Sequence, residues 1–316
     1  MPLCIFKEIN MEILNFFEKL RTPFLTNMFS LITHFGEEYA FLIVSLAVLW
    51  CINKRYGYCL LFCGIVGQTV NQFLKYTCAV ERPWVAYPEL SPVSSAIENA
   101  SGYSFPSGHT QIAATTYGTL AYFYKNNRIL CSALLILTLL VGVSRLYLGV
   151  HYFSDVIFSF LLGVLIVTIS CKSFEKGANT SYYRVITIVL SFLLLLYTLI
   201  TVDVSSANDN EHFALEFSAK FFGASLAFVI SWIVDEKYIK YSTKGKIGFQ
   251  LFKLFVGAGI VILLRILLKK LFIYMSLAQI VSDGIRYFAL VIFAGCIWPY
   301  VFNKMHQKSS FKSTNC

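Results

Sequence analysis

The chain has 316 residues, of which 57% are hydrophobic and only 14% charged, and its mean hydropathy is +0.66. A soluble domain carries roughly a quarter charged residues, so the composition excludes an ordinary soluble enzyme and indicates a polytopic membrane protein. The net charge of +9 does not point to nucleic acid, because the cations gather in short loops between apolar runs and no basic, aromatic-interleaved groove accompanies them.

The N-terminus carries no secretory signal: MPLCIFKEIN leads into a mixed amphipathic stretch without a clean apolar core or cleavage site. The first transmembrane helix is expected to act as the targeting signal. Residues 8–35 repeat apolar positions with helical spacing, but Glu12, Glu18, Lys19 and Arg21 interrupt them. Two short helices split near Pro23 and lying in the membrane interface are expected here. Apolar runs of spanning length then follow. They fall at about 38–52, 57–79, 108–124, 128–144, 152–171, 183–202, 213–234, 248–270 and 284–302. The expected fold is therefore all-α: a polytopic membrane helix bundle of about nine transmembrane helices, preceded by N-terminal interfacial helices.

Basic residues set the orientation. Lys54 and Arg55 follow the first span, Lys125 and Arg128 the third, and Lys172, Lys176 and Arg184 the fifth. Lys237, Lys240, Lys244 and Lys246 follow the seventh, and the tail carries Lys304, Lys308 and Lys312. The loop at 203–212 is acidic instead, with Asp203, Asp209 and Glu211. By the positive-inside rule the odd-numbered connections and the tail are cytoplasmic. The N-terminus and the loops 80–107, 145–151, 203–212 and 271–283 face the other side. The polar stretch KSFEKGANTSY at 172–182 divides a motif-bearing front half from a back half without recognisable motifs. Three regions result: 1–35 as interfacial helices, 36–171 as the chemical core, and 172–316 as an added four-span region.

The nine cysteines show no CxxC and no Cys/His metal spacing. Most sit inside apolar runs (Cys51, Cys59, Cys63, Cys131, Cys171, Cys296), where they read as small hydrophobes. No disulfide framework and no structural zinc are expected.

Three polar segments interrupt this apolar background. In KYTCAVERPW, Lys75 and Arg82 lie seven apart, and Pro83 biases Arg82 toward extended backbone. In GYSFPSGHT, Pro106 suits a helix start, Ser107 is an N-cap candidate and Gly108 allows close backbone approach. The N–H groups of that first turn form an anion site helped by the helix dipole, with His109 at its edge. In VGVSRLYLGVHYFSD, His151 and Asp155 are four apart, which puts an imidazole and a carboxylate on one helical face. Arg145 adds a planar fork suited to phosphate oxygens. Taken singly, each residue has a plain reading: a snorkelling cation, an interfacial histidine, a helix-start carboxylate. The span count brings all three segments to one membrane face, which those readings do not require.

Lys75-x6-Arg82-Pro83, Pro106-Ser107-Gly108-His109 and Ser144-Arg145-x5-His151-x3-Asp155 resemble the three-part signature of the type-2 phosphatidic acid phosphatases, a superfamily that includes glucose-6-phosphatase-like enzymes and vanadium haloperoxidases. All eleven specified positions are present in order, and the resemblance spans roughly residues 36–171. It implies that His151 is the nucleophile that forms a phosphohistidine and that Asp155 orients it. It implies that His109 protonates the leaving oxygen and then activates water. Lys75, Arg82 and Arg145 would hold the phosphoryl oxygens, with Ser107 and the Gly108 N–H as further donors. No metal and no cofactor are implied. The expected function is that of an integral membrane lipid phosphatase or diphosphatase, metal-independent and acid-phosphatase-like, working on a phosphorylated lipid at the non-cytoplasmic face of a bacterial plasma membrane. Its partners would be that substrate and membrane lipids, with no nucleic acid. Phosphotransfer to another alcohol by the same histidines is the alternative, and lipid transport through the back half a more distant one.

Overall fold

A computed structural model describes the backbone of residues 2–98, 100–177 and 179–314, with side chains from Glu8 to Gln307 among them. The tail cations Lys308 and Lys312 lie outside the described side chains. Every regular element among the described residues is helical. The order begins α1 (Pro2–Lys19), α2 (Pro23–Thr33), α3 (Glu38–Ala47), α4 (Lys54–Cys78), α5 (Pro83–Ala86) and α6 (Ser94–Ile97). It continues with α7 (Gly108–Phe123), α8 (Arg128–Tyr147), α9 (Phe153–Glu175), α10 (Thr180–Thr201) and α11 (Asp209–Val234), then α12 (Ile247–Tyr274), α13 (Gln279–Ile292) and α14 (Trp298–Thr314).

Among the described residues, six helical stretches are long and apolar enough to cross a bilayer: Arg128–Tyr147, Phe153–Glu175, Thr180–Thr201, Asp209–Ile239, Ile247–Tyr274 and Gln279–Gln307. A seventh candidate is the pair Pro23–Gly36 and Glu38–Ile52, bent by 53°. The two remaining expected spans fall short for readable reasons. The second half of α4 carries Gln68, Asn71, Gln72 and Lys75. Helix α7 has 16 residues, or about 24 Å at 1.5 Å per residue, against a hydrocarbon core of about 30 Å.

The chain divides into two compact units. The first comprises Met1–Leu42, Cys59–Ala178 and Val202–Ala214. Within it α7 packs on both α8 and α9. Its buried residues are small or hydroxylated, among them Ala113, Ala114, Thr115 and Thr119. Gly163 of α9 sits where a Cβ would collide with Ala114, so the two backbones approach closely, as small residues permit between membrane helices. Thr115 returns its hydroxyl to the Gln111 carbonyl at 2.9 Å, which satisfies a polar group in the helix interior. A helix surrounded by protein has no lipid to face, which explains why α7 is rich in Thr and Ala.

The first unit also holds the N-terminal helices, broken where Pro23 predicts. Thr22 caps α2 by accepting from Leu25 N at 3.3 Å, with Pro23 in the first turn. Both helices pack on α8. The Tyr147 ring lies 4.5 Å from Phe29 and 6.4 Å from Phe17 between ring centroids, and its hydroxyl accepts from Thr22 N at 3.2 Å. Asn10 reaches the first turn of α9 and accepts from Ser154 N at 3.2 Å.

The second unit comprises Ile43–Tyr58, Asn179–Thr201 and Leu215–Cys316. Lys54 grips both carboxylate oxygens of Asp235, at 3.0 and 2.9 Å. Tyr58 donates to the same carboxylate at 3.1 Å while stacking flat on Trp232. The Glu216–Lys220 pair expected from i,i+4 spacing is present at 3.7 Å, but Lys220 is closer to Asp283, at 3.0 Å. Arg286 also pairs with Asp283. This second carboxylate comes from another helix, so local spacing does not reveal it.

Candidate active site

The eight expected site residues all lie in the first unit, contributed by the last turn of α4, the loop after it, the first turn of α7, the end of α8, the turn between α8 and α9, and the first turn of α9. The centre is a three-residue relay. Asp155 Oδ2 lies 3.3 Å from His151 Nδ1, and His151 Nε2 lies 2.9 Å from an Arg82 Nη. A guanidinium has no acceptor, so Arg82 must donate to Nε2 and Nε2 must carry the lone pair. Nδ1 then holds the proton and donates to Asp155. The tautomer follows from the neighbours, and it leaves the nitrogen remote from Asp155 as the basic one.

Asp155 is held from two further sides. Ser104 Oγ donates to its Oδ2 at 2.6 Å, and Tyr152 N donates at 3.0 Å. The second bond places Asp155 at the third position of α9, where a carboxylate closes the helix start. Burial, reinforced by the charges of Arg82, Lys75 and Arg145, holds the His151 imidazole well below its ordinary value. The ring is therefore neutral at neutral pH.

The loop between α4 and α7 is folded onto cations. Arg82 has the extended backbone expected before Pro83, at φ −66° and ψ 151°. Its guanidinium donates to the carbonyls of Ser101, Gly102 and Val150 at 2.8, 3.0 and 2.9 Å. Burial lowers it to about 10, which leaves it charged at neutral pH. Lys75 Nζ donates to the carbonyls of Tyr103 and Pro106 at 2.6 and 3.0 Å. Ser107 caps α7 as expected: Thr110 N and Thr110 Oγ1 both donate to its Oγ, at 3.5 and 2.9 Å. The Ser107 N–H donates to the Asp155 carbonyl at 3.3 Å, tying the second segment to the third. Gly108 opens α7, with Gln68 donating to its carbonyl at 3.5 Å.

Arg145 and His109 differ from these. Arg145 is almost wholly buried, and one Nη donates to Thr33 Oγ1 at 2.6 Å. Its Nε and other Nη are buried without a partner, as is His109 Nε2. Buried donors are nearly always satisfied, so an arginine that keeps two nitrogens free is a ready anion receptor.

Sequence reading missed Ser104 and Thr33. Ser104 sits inside the second motif, GYSFPSGHT, and a serine three residues before the N-cap is a findable signal. Thr33 ends α2, more than a hundred residues from Arg145, and nothing local marks it.

Comparison with known proteins gives similar chains. Phosphatidylglycerophosphatase B of Bacillus subtilis (strain 168) is 29% identical over 170 residues, covering 50% of this chain and 78% of the relative. The undecaprenyl-diphosphatase of Sulfolobus acidocaldarius is 25% identical over 169 residues, covering 53% and 80%. The crystal structure of the first transmembrane PAP2 type phosphatidylglycerolphosphate phosphatase from Bacillus subtilis is 26% identical, covers 55% of this chain and 87% of that one, and gives a TM-score of 0.47. The family model "PAP2 superfamily" matches residues 55–178, and "PAP2 superfamily phosphatase, transmembrane extension" matches 219–310. With its histidine relay inside the first match and four long apolar helices from Thr180 onward, the chain belongs to the PAP2 superfamily of membrane phosphatases.

Proposed function

We propose that this chain is an integral membrane hydrolase that removes a phosphate or pyrophosphate group from a lipid through a phosphohistidine, at a site on the non-cytoplasmic face. Family membership supports phosphatase activity on lipid phosphates or diphosphates. The observation that carries the chemistry is the Asp155–His151 pair beside the free nitrogens of Arg145 and His109.

In the first step the His151 Nε2 lone pair forms an N–P bond while the bond from phosphorus to the leaving oxygen breaks. That oxygen takes a proton from His109. In the second step His109 accepts a proton from water, the hydroxide attacks phosphorus, the N–P bond breaks and orthophosphate leaves. Arg145, Arg82 and Lys75 neutralise the charge spread over the equatorial oxygens, and Ser107 and the Gly108 N–H add donors. Asp155 stabilises the charge that His151 gains.

The non-cytoplasmic placement rests on the distribution of lysine and arginine between the connections. It requires α3, α4 and α7 to count as crossings beside the six apolar stretches, which gives the expected nine. Helix α7 crosses within protein, so its length and threonine content do not disqualify it. The domain reading is likewise ours: the motif core lies in the front half of the chain, and the helices after residue 172 are an accessory membrane region.

The test is a phosphate-release panel on purified protein, with phosphatidylglycerol phosphate, undecaprenyl diphosphate, phosphatidic acid and a sphingoid phosphate. At least one substrate turns over, and His151→Ala abolishes it. Acid-labile phosphate is trapped on the wild type from that substrate. Unchanged release by His151→Ala refutes the nucleophile, and a phosphorylated acceptor without matching free phosphate selects phosphotransfer.

A further inference from the structure

The helices that carry the catalytic groups also converge at their other ends, on sulfur. Cys59 and Cys63 lie one turn apart on α4, on one face. Cys171 lies near the end of α9. All three are wholly buried in the first unit, and their Sγ atoms lie within 4.8 Å of one another, with Cys59 and Cys171 at 3.6 Å. The wholly buried Thr119 hydroxyl of α7 faces the Cys63 sulfur. Three free thiols, drawn from two helices, thus meet in one buried cluster.

We propose that Cys59, Cys63 and Cys171 form a binding site for a soft monovalent d10 cation, with Cu(I) as its representative. The donor set is all sulfur, which selects soft ions over Mg²⁺, Ca²⁺ or Mn²⁺. At a metal–sulfur distance of about 2.3 Å, three sulfurs arranged trigonally around an ion lie about 4 Å apart, inside the observed spread. Structural zinc closes with four N or S ligands, and among the described residues this group has three. Entry of the ion replaces S–H by S–metal bonds and passes the thiol protons to solvent, with no change in oxidation state. Cys63 and Lys75 are twelve residues apart on α4, and Asp155 and Cys171 sixteen apart on α9. At 1.5 Å per residue the ion sits about 18–24 Å from the catalytic groups. It therefore clasps α4 to α9 at the end away from the chemistry.

The test uses the full-length protein in detergent under reductant, titrated with Cu(I) against a chromogenic Cu(I) chelator. One equivalent per chain is retained by the wild type and by a variant in which Cys4, Cys51, Cys78, Cys131, Cys296 and Cys316 are all serine. Cys171→Ser and Cys59→Ser each lower the affinity at least tenfold while keeping the wild-type elution profile and phosphate release. Cu(I) raises the melting temperature of the wild type and not of Cys171→Ser. Equal retention by wild type and a Cys59/Cys63/Cys171 triple serine variant overturns the site. Retention of Zn(II) in place of Cu(I) overturns the assignment to a soft monovalent ion. Both outcomes are independent of whether the phosphatase reading stands.

Discussion

Ser104→Ala tests the relay at a residue outside the family signature. Ser104 is wholly buried, and its hydroxyl gives Asp155 Oδ2 its shortest hydrogen bond, at 2.6 Å, against 3.0 Å from Tyr152 N and 3.3 Å to His151 Nδ1. Removing it deprives a buried carboxylate oxygen of one of three donors. A hydrogen bond to a charged group contributes about 1.5–3 kcal/mol. Where that stabilisation serves to orient and charge-balance His151, its loss appears in the barrier, and at 1.36 kcal/mol per decade it lowers kcat roughly ten- to a hundredfold. KM changes little, because Ser104 does not reach the phosphate donors Arg145 and His109. Steady-state phosphate release and the rate of acid-labile phosphate capture in a single turnover are the assays. Capture slows by the same factor as kcat, and Ser104→Thr restores part of the rate by returning a hydroxyl. A Ser104→Ala protein within twofold of wild type in both assays would falsify the claim that this bond holds the relay.

His109→Ala lowers kcat by about 10²–10⁴ on a lipid alkyl phosphate, the usual range for loss of a general acid–base. On an aryl phosphate, whose leaving group needs no proton, His109→Ala spares phosphohistidine formation, and a rate loss equal on both substrates counts against the role. Thr33→Val removes the acceptor for the third Arg145 nitrogen and raises KM severalfold with little effect on folding; an unchanged KM shows that Thr33 does not position the guanidinium. Because His151 is held below its ordinary value by burial and neighbouring cations, the unfolded chain binds a proton that the folded chain refuses. This makes no contribution above about pH 6.5 and destabilises the fold as pH falls below it. Melting temperature measured from pH 7.5 to 5 falls less steeply in His151→Asn than in wild type, and parallel slopes contradict the neutral ring. In the second unit, Asp283→Asn leaves Lys220 and Arg286 without their shared carboxylate and costs about 3–5 kcal/mol, the price of breaking a buried pair, seen as a lower melting temperature.

The helical bundle is legible because apolar runs and proline breaks are local signals, and so is the cap at Ser107. The convergence of the motif residues in one unit is legible because a motif fixes residue types at fixed spacing. Legibility fails where a partner comes from a distant segment. Thr33 meets Arg145, Asp283 meets Lys220, and Cys171 meets Cys59 across 112 residues, and no short window of sequence contains any of these pairings. The cysteines are the clearest instance. Position by position each is a small apolar filler, and a search for CxxC passes over thiols placed one helical turn apart. The composition of α7 is hard to interpret for a related reason, because no local signal shows that it packs against α8 and α9.

The three cations that the motif treats alike are not alike in the folded chain. Lys75 and Arg82 are already satisfied by loop carbonyls, and Arg82 in addition occupies the His151 lone pair. Arg145 keeps two nitrogens free. On the proposed mechanism an incoming phosphoryl group meets Arg145 first, since binding there breaks no existing bond. Its oxygens then compete for the Arg82 N–H groups. Once that guanidinium turns to the phosphate, Nε2 of His151 is released at the moment phosphorus arrives. The nucleophile is thus masked by the same cation that stabilises the transition state, so binding and activation are one exchange of hydrogen bonds. Water alone, with weaker acceptors than a phosphate dianion, does not draw Arg82 away, and the ring stays capped between turnovers.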